Sequence, residues 1–328
     1  MSALRRVVAA VVSAGSLVVA LLPAPALAEV VVVLNSGDAS VTLIDRDTQK
    51  VLETFPVGKE PHHLIATPDN KSLIVANAVG NDLVLLDPVT GKVQQRVADI
   101  DDPYQIGFSP DQKWFVVTGN RLDRVDLYRW DGKALKMARQ LPLAKTPSHV
   151  AFTDDSRIAF VTLQDSNEVV AIDLPTQTVM WRMEAGSAPA GIWVTPDQKY
   201  LLVGMTGADY VAVIDWRART VVKQIQTGKG AHNFRALGDR RHLFLSNRVS
   251  GTISIIDQQS LSKVGDITGL LPGPDDMELS ADGKTLWVTF RWARAVGVID
   301  VPSRKLMKTI KVGKSPHGIY FRTRAPLY

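Results

Sequence analysis

"VGKEPHHLI" (Val57–Ile65) and "VGKSPHGIY" (Val312–Tyr320) are nearly the same phrase, written 255 residues apart. Between them the phrase recurs in weaker form as "DDPYQIGFSPD", "KTPSHVAFTDD", "SAPAGIWVTPD", "KGAHNFRALGD" and "PGPDDMELSAD". Its proline position falls at Pro61, Pro103, Pro147, Pro189, Ala231, Pro274 and Pro316, in steps of 42, 44, 42, 42, 43 and 42 residues. Seven copies at so regular a pitch mark a repeat architecture, and a period near forty residues is that of a propeller blade.

Each unit carries four short apolar, β-branched runs. In the first complete unit these are His62–Thr67, Leu73–Asn77, Leu83–Asp87 and Val93–Val97, separated by Pro68-Asp69-Asn70, Gly80-Asn81 and Pro88-Val89-Thr90-Gly91. Such punctuation is turn chemistry between strands. The third runs end alike, as "VTLID", "LVLLD", "VVAID", "VAVID", "ISIID" and "VGVID", which suits strands packed on both faces. The chain after the leader opens at a second run, "VVVLN" (Val31–Asn35), and its missing first run is supplied by His317–Phe321. The expected fold is therefore all-β: a seven-bladed propeller of four-stranded blades, closed where N- and C-terminal strands share the last blade.

Residues 1–28 read as a separate segment. Arg5 and Arg6 precede an apolar run, Val7–Leu22, and the small-residue ending Ala26-Leu27-Ala28 stands before Glu29. This is the layout of a cleaved secretory signal peptide, so residues 29–328 are expected as a single propeller domain in the periplasm, without a membrane span. Losing the two leader arginines lowers the formal charge from +5 to +3. That is too mild to favour nucleic acid. With no cysteine, disulfides, thiolate metal sites and covalent c-type haem are excluded.

The run P-H-x-I/L … P-D-x-K-x-L-x-V-x-N … V-x-V-I-D … V-G, clearest at Pro61–Asp87, resembles the YVTN β-propeller repeat proteins of bacteria across the whole chain after the leader. The eponymous tetrapeptide is absent; the nearest approaches are Phe160–Leu163 and Leu73–Asn77. The resemblance implies an exported propeller, with some members similar to lactonases and others to the d-type haem domain of nitrite reductases. Fold alone does not choose among these.

No G-x-S-x-G elbow, H-E-x-x-H helix or P-loop is present, which lowers the prospect of a common hydrolase or nucleotide enzyme. Strand order points to a site instead. The proline phrase leads from a fourth strand into the next innermost strand, so its residues should ring one mouth of the central channel, with the second-to-third loops around them. After the proline position the residues read His62, Tyr104, Ser148, Ala190, His232, Asp275 and His317; the next read His63, Gln105, His149, Gly191, Asn233, Asp276 and Gly318. Five of the six histidines fall in these fourteen places. The bland reading is that they cap turns.

The functional reading makes His62, His63, Tyr104, His149, His232, Asp275, Asp276, Arg291, Trp292 and His317 a ligand site at the mouth. Within it His62, His232, His317 and Asp275 would hold a divalent metal, zinc or copper. Trp292 between Arg291 and Arg294 could stack on a planar ligand. Trp193 reads as core, and Asp69, Asp111 and Asp197 on the far face read as turn residues. The leading expectation is a non-catalytic, monomeric binding or scaffold propeller for a small molecule or a periplasmic protein. The alternatives are a metal-dependent lactonase or lyase, and a non-covalent haem propeller with one axial histidine.

Overall fold

The computed structural model describes residues 29–327. The leader expected over residues 1–28 lies outside them. Seven antiparallel sheets of four strands each are arranged as blades, and the only helical element among the described residues is the 3-10 turn Ser36–Asp38. Blade one runs from its innermost strand Pro61–Ala66 through Leu73–Asn77 and Asp82–Leu86 to Val93–Ala98, within a residue or so of the runs expected from sequence. Blades two to six begin at Pro103, Pro147, Pro189, Ala231 and Pro274. Blade seven pairs Pro316–Tyr320 as its innermost strand with Val30–Asn35, and Val32 lies opposite Tyr320. The shared-blade closure is therefore present.

Burial follows strand position. Second strands such as Trp114–Gly119 and Ile158–Leu163 are buried along their whole length, because a neighbouring blade covers each face. Fourth strands such as Val93–Ala98 are mostly exposed. Seven apolar cores form, one at each junction between neighbouring blades. The junction of blades seven and one sets Val32, Leu34 and Val41 against Leu64, Val75 and Val84. Since no junction lacks a core, the ring is closed by packing as well as by strand pairing.

The repeated phrase is explained residue by residue. Val57 is buried in the junction core. A Cβ on Gly58 would lie 2.2 Å from the Asn77 amide, and one on Gly313 would lie 2.6 Å from Asn35, so the glycine of "VG" makes room for the asparagine ending the second strand. Asn77 donates to the Val57 carbonyl at 3.3 Å, and Asn35 accepts from the Gly313 N–H at 3.0 Å. The residue before each proline position is left-handed in all seven units: Glu60, Asp102, Thr146, Ala188, Gly230, Gly273 and Ser315, with φ between 46° and 75°. Immediately beyond it, every innermost strand shifts register by a bulge. A bulge re-aims side chains and interrupts strict alternation. It falls on the histidine positions.

Candidate functional site

The side chains after the proline position meet on the propeller axis. His62 lies between two rings, with centroids 3.8 Å from Tyr104 and 3.8 Å from His317. His317 stands edge-on to His232 at 6.3 Å, and His232 edge-on to His149 at 5.1 Å. The Tyr104 carbonyl, 2.9 Å from His62 Nδ1, can only accept, so His62 carries its proton on Nδ1. His62, His232, Asp275 and His317 are all buried. They close the axis at the end where the sequence placed a mouth.

Asp275 is the electrostatic centre of this plug. It accepts from Arg248 Nε at 2.9 Å and Nη2 at 2.5 Å, and Arg291 Nη1 approaches at 3.5 Å. His232 Nδ1 lies 3.2 Å and His317 Nε2 3.7 Å from the same carboxylate. Burial opposes the charge on Asp275, but Arg248 and the two histidines outweigh it and hold the carboxyl well below its ordinary range. Burial, reinforced by His317 and Arg291, pushes His62 well below the usual imidazole value. His232 falls to about 4, through burial first and Arg248 second, against the opposing pull of Asp275. The plug is a set of neutral imidazoles around one carboxylate bound to two guanidiniums.

Among the described residues no group of three or more histidine, aspartate or glutamate side chains is placed to hold a metal ion. The His62 and His317 rings lie 3.8 Å apart between centroids and are tilted by 35°. Asp275 is already committed to Arg248 and Arg291, whose positive charges would repel a dication. The four residues expected as metal ligands do come together on the axis.

An open cavity lies at the other end of the axis, on the face of the Pro-Asp turns. It encloses about 710 Å³, within the range of small-molecule sites. Its walls are Ile65, Phe108, Phe152, Ile192, Trp193 and Phe234, with His63, Gln105 and Asn233 as the polar residues from the second histidine-phrase position. The Nδ1 of His63 is buried without a hydrogen-bond partner, and burial lowers the imidazole to about 4. The Gln105 side-chain Oε1 accepts from the Val150 N–H at 2.6 Å. Asn233 donates to Asp276 at 3.0 Å, and burial beside Asp275 raises the Asp276 carboxyl to about 7.

The expected site residues thus divide. His62, Tyr104, His149, His232, Asp275, His317 and Arg291 belong to the plug; His63 lines the cavity; Asp276 braces Asn233. Trp292 is 55% exposed on the plugged face, its ring packed against Gly273, where a Cβ would lie 2.8 Å away. Sequence reasoning missed Arg248, although it follows the second strand of blade five as Arg291 follows that of blade six. Trp193, read as core, does pack half-buried against the core between blades four and five, and it also lines the cavity wall and donates to Gln258 at 2.8 Å. The turn reading of the far-face carboxylates holds: Asp69, Asp111 and Asp197 each accept a hydroxyl and a backbone N–H of their own turn.

Comparison with known proteins agrees on the architecture. No curated protein matches the chain. A functionally unknown protein from Desulfotomaculum acetoxidans superposes with TM-score 0.76 at 14% identity, over 89% of this chain and 98% of that one. A protein from Bacteroides fragilis, provisionally assigned as a 6-phosphogluconolactonase, gives 0.70 at 16% identity, over 92% and 99%. The dihydro-heme d1 dehydrogenase NirN gives 0.65 at 17% identity, over 89% and 75%. At such identities the likeness is one of fold. The sequence itself carries the closer assignment, consistent with the YVTN-type repeat read from its phrases: over residues 1–327 it matches a family model, and the chain belongs to the YNCE-like beta-propellers.

Proposed function

We propose that the protein is a non-catalytic periplasmic binding protein, which holds a compact, mainly apolar small molecule in its axial cavity. The observation that carries this reading is the cavity itself: about 710 Å³, aromatic walls, polar groups from His63, Gln105 and Asn233, and further polar residues that include Asp154 and Arg240. Apolar walls supply affinity and a few convergent polar groups supply orientation. Binding is favoured over catalysis because the lining holds a single base, His63, and a single carboxylate, the exposed Asp154. The plug at the opposite end supports the same reading, because it makes the cavity blind. The compartment rests on the leader layout of residues 1–28.

Titration with the fluorescent apolar probe N-phenyl-1-naphthylamine tests the proposal. Saturable binding at one site is expected, weakened by Phe152→Ala and by His63→Ala. Binding that is absent, or indifferent to both variants, sinks it. The likeness to NirN, solved in complex with DHE, favours a second reading in which a non-covalent tetrapyrrole occupies the cavity. His63 is the one imidazole in the lining and would serve as its axial ligand. A Soret shift on adding haem, lost in His63→Ala, would select this reading; an unchanged spectrum rejects it.

A further inference from the structure

The cavity is walled by residues from blades one to five only, together with Leu327. Blades six and seven contribute nothing, although the ring is closed. The reason is the segment that follows the innermost strand of blade seven. After the buried Phe321 the chain leaves its blade and crosses the bases of blades six and five. Arg324 forms a β-bridge with Ser280, and Ala325 donates its N–H to the Leu279 carbonyl at 2.9 Å. Ala325 itself is buried in the core between blades five and six.

The crossing is fixed by a buried ion cluster. Arg235 of blade five and Glu278 of blade six are each only 4% exposed in their side chains and lie 2.7 Å apart. Arg235 also donates to the Ala325 carbonyl at 2.7 Å and the Pro326 carbonyl at 3.2 Å. Arg324 reaches the other Glu278 oxygen at 2.9 Å. Burying two charges costs desolvation that their attraction repays only with good geometry and further hydrogen bonds. Here the further hydrogen bonds go to the crossing segment. Pro326 rests against Gly238, where a Cβ would lie 3.1 Å from the proline ring, and this brings Leu327 to the cavity.

We propose that residues 322–327 form a fixed strap that closes the blade-six and blade-seven side of the cavity and so sets the size of ligand the axis accepts. The inference rests on the binding reading above and adds its size selector: a molecule compact enough to lie beside Leu327 is accepted, and a broader one meets the strap. Leu327 is a specificity-determining residue, and Arg235 with Glu278 are the positioning residues that hold it.

The test compares the full chain with a Leu327→Glu variant and with a chain stopped before Thr323, using N-phenyl-1-naphthylamine as the probe. Melting curves accompany each titration. Leu327→Glu leaves the anchor intact and places a charge at an apolar wall, so probe affinity should fall by about fivefold at unchanged melting temperature. Loss of the strap should speed probe dissociation by about tenfold. If both variants bind and release the probe within about twofold of the full chain, a change too small to signify a lost contact, the strap is no wall and the inference is overturned. If only the stopped chain binds, the strap stands as a wall and the binding reading of the intact cavity falls. If no form binds, both fall.

Discussion

Five imidazoles on or beside the axis, His62, His63, His149, His232 and His317, are all held below the ordinary value of 6.5, with burial the largest cause in each. For His63 and His232 the folded value is about 4. As pH falls from 6.5 toward 4, the unfolded chain takes up protons that the folded chain refuses. Stability therefore declines with acid, by about 1.4 kcal/mol per pH unit for each such group. Asp276 acts in the opposite sense, since its folded carboxyl keeps a proton up to about 7 against an ordinary 3.8. One carboxyl against five imidazoles leaves net acid destabilisation. Denaturant midpoints should drop markedly between pH 7.5 and 5, and Asp276→Asn should stabilise more at 7.5 than at 5. An Asn variant with the same effect at both values would mean Asp276 is ionised in the fold. Asp275→Asn is more damaging, because it strips Arg248 and Arg291 of their shared counter-charge. A loss of about 3 kcal/mol is expected at neutral pH, whereas Arg291→Gln, at the longer 3.5 Å contact, should cost well under half of that.

At the scale of the strand, the unit that repeats is a left-handed residue, a proline position and a bulge. Ala188 adopts φ of 49° where blades five and six use Gly230 and Gly273. A Cβ in this region is strained, while glycine adopts it freely. Ala188→Gly should therefore raise stability slightly, by about 0.5 kcal/mol after the added freedom of the unfolded chain is subtracted. The reverse change at Gly273 should cost clearly more, since its Cβ would also strike Trp292 at 2.8 Å. Equal and opposite changes in unfolding free energy would show that the turn conformation alone matters and the tryptophan contact does not. The bulge explains why side chains one residue apart part company. His62 turns into the plug and His63 into the cavity, while His149 leaves the second set to meet His232.

At the scale of the whole ring, stability depends on one junction that the others do not resemble. The innermost strand of blade seven, Pro316–Tyr320, pairs with Val30–Asn35 and carries Ile319 and Phe321 into the core shared with Trp287 of blade six. Deletion from Pro316 onward exposes the edge of Val31 and Val33 and removes that core's inner layer. The truncated chain should melt about 10 °C or more below the full chain, or aggregate through its open edge. Stopping the chain before Thr323 leaves the closing strand in place and should be much milder. Should the deletion from Pro316 melt within a degree or two of the full chain, the closure is not what holds the ring together.

The fold was legible because its determinants are local and copied. The 42-to-44-residue period, the "VG…P" phrase and the "VID" endings mark contacts copied between blades, such as Gly58 against Asn77, Gly228 against Asn247 and Gly313 against Asn35. Repetition turns weak signals into a strong one. Even the gathering of histidines on the axis could be read, because residues at one repeat position must meet where seven innermost strands converge. What the linear order did not disclose was direction and company. Whether His62 and His317 coordinate an ion or stack on one another depends on ring orientations, and those are set by Asp275, Arg248 and Tyr104 from three other blades. Which end of the axis stays open depends on a bulge that splits neighbouring side chains, and on a strap whose anchor joins Arg235 to Ala325, ninety residues apart. The bulge recurs in every blade, but the direction it gives each side chain is not written in the residue order, and the strap occurs once, so it carries no period to be found. Only the folded ring brings their parts within bonding distance.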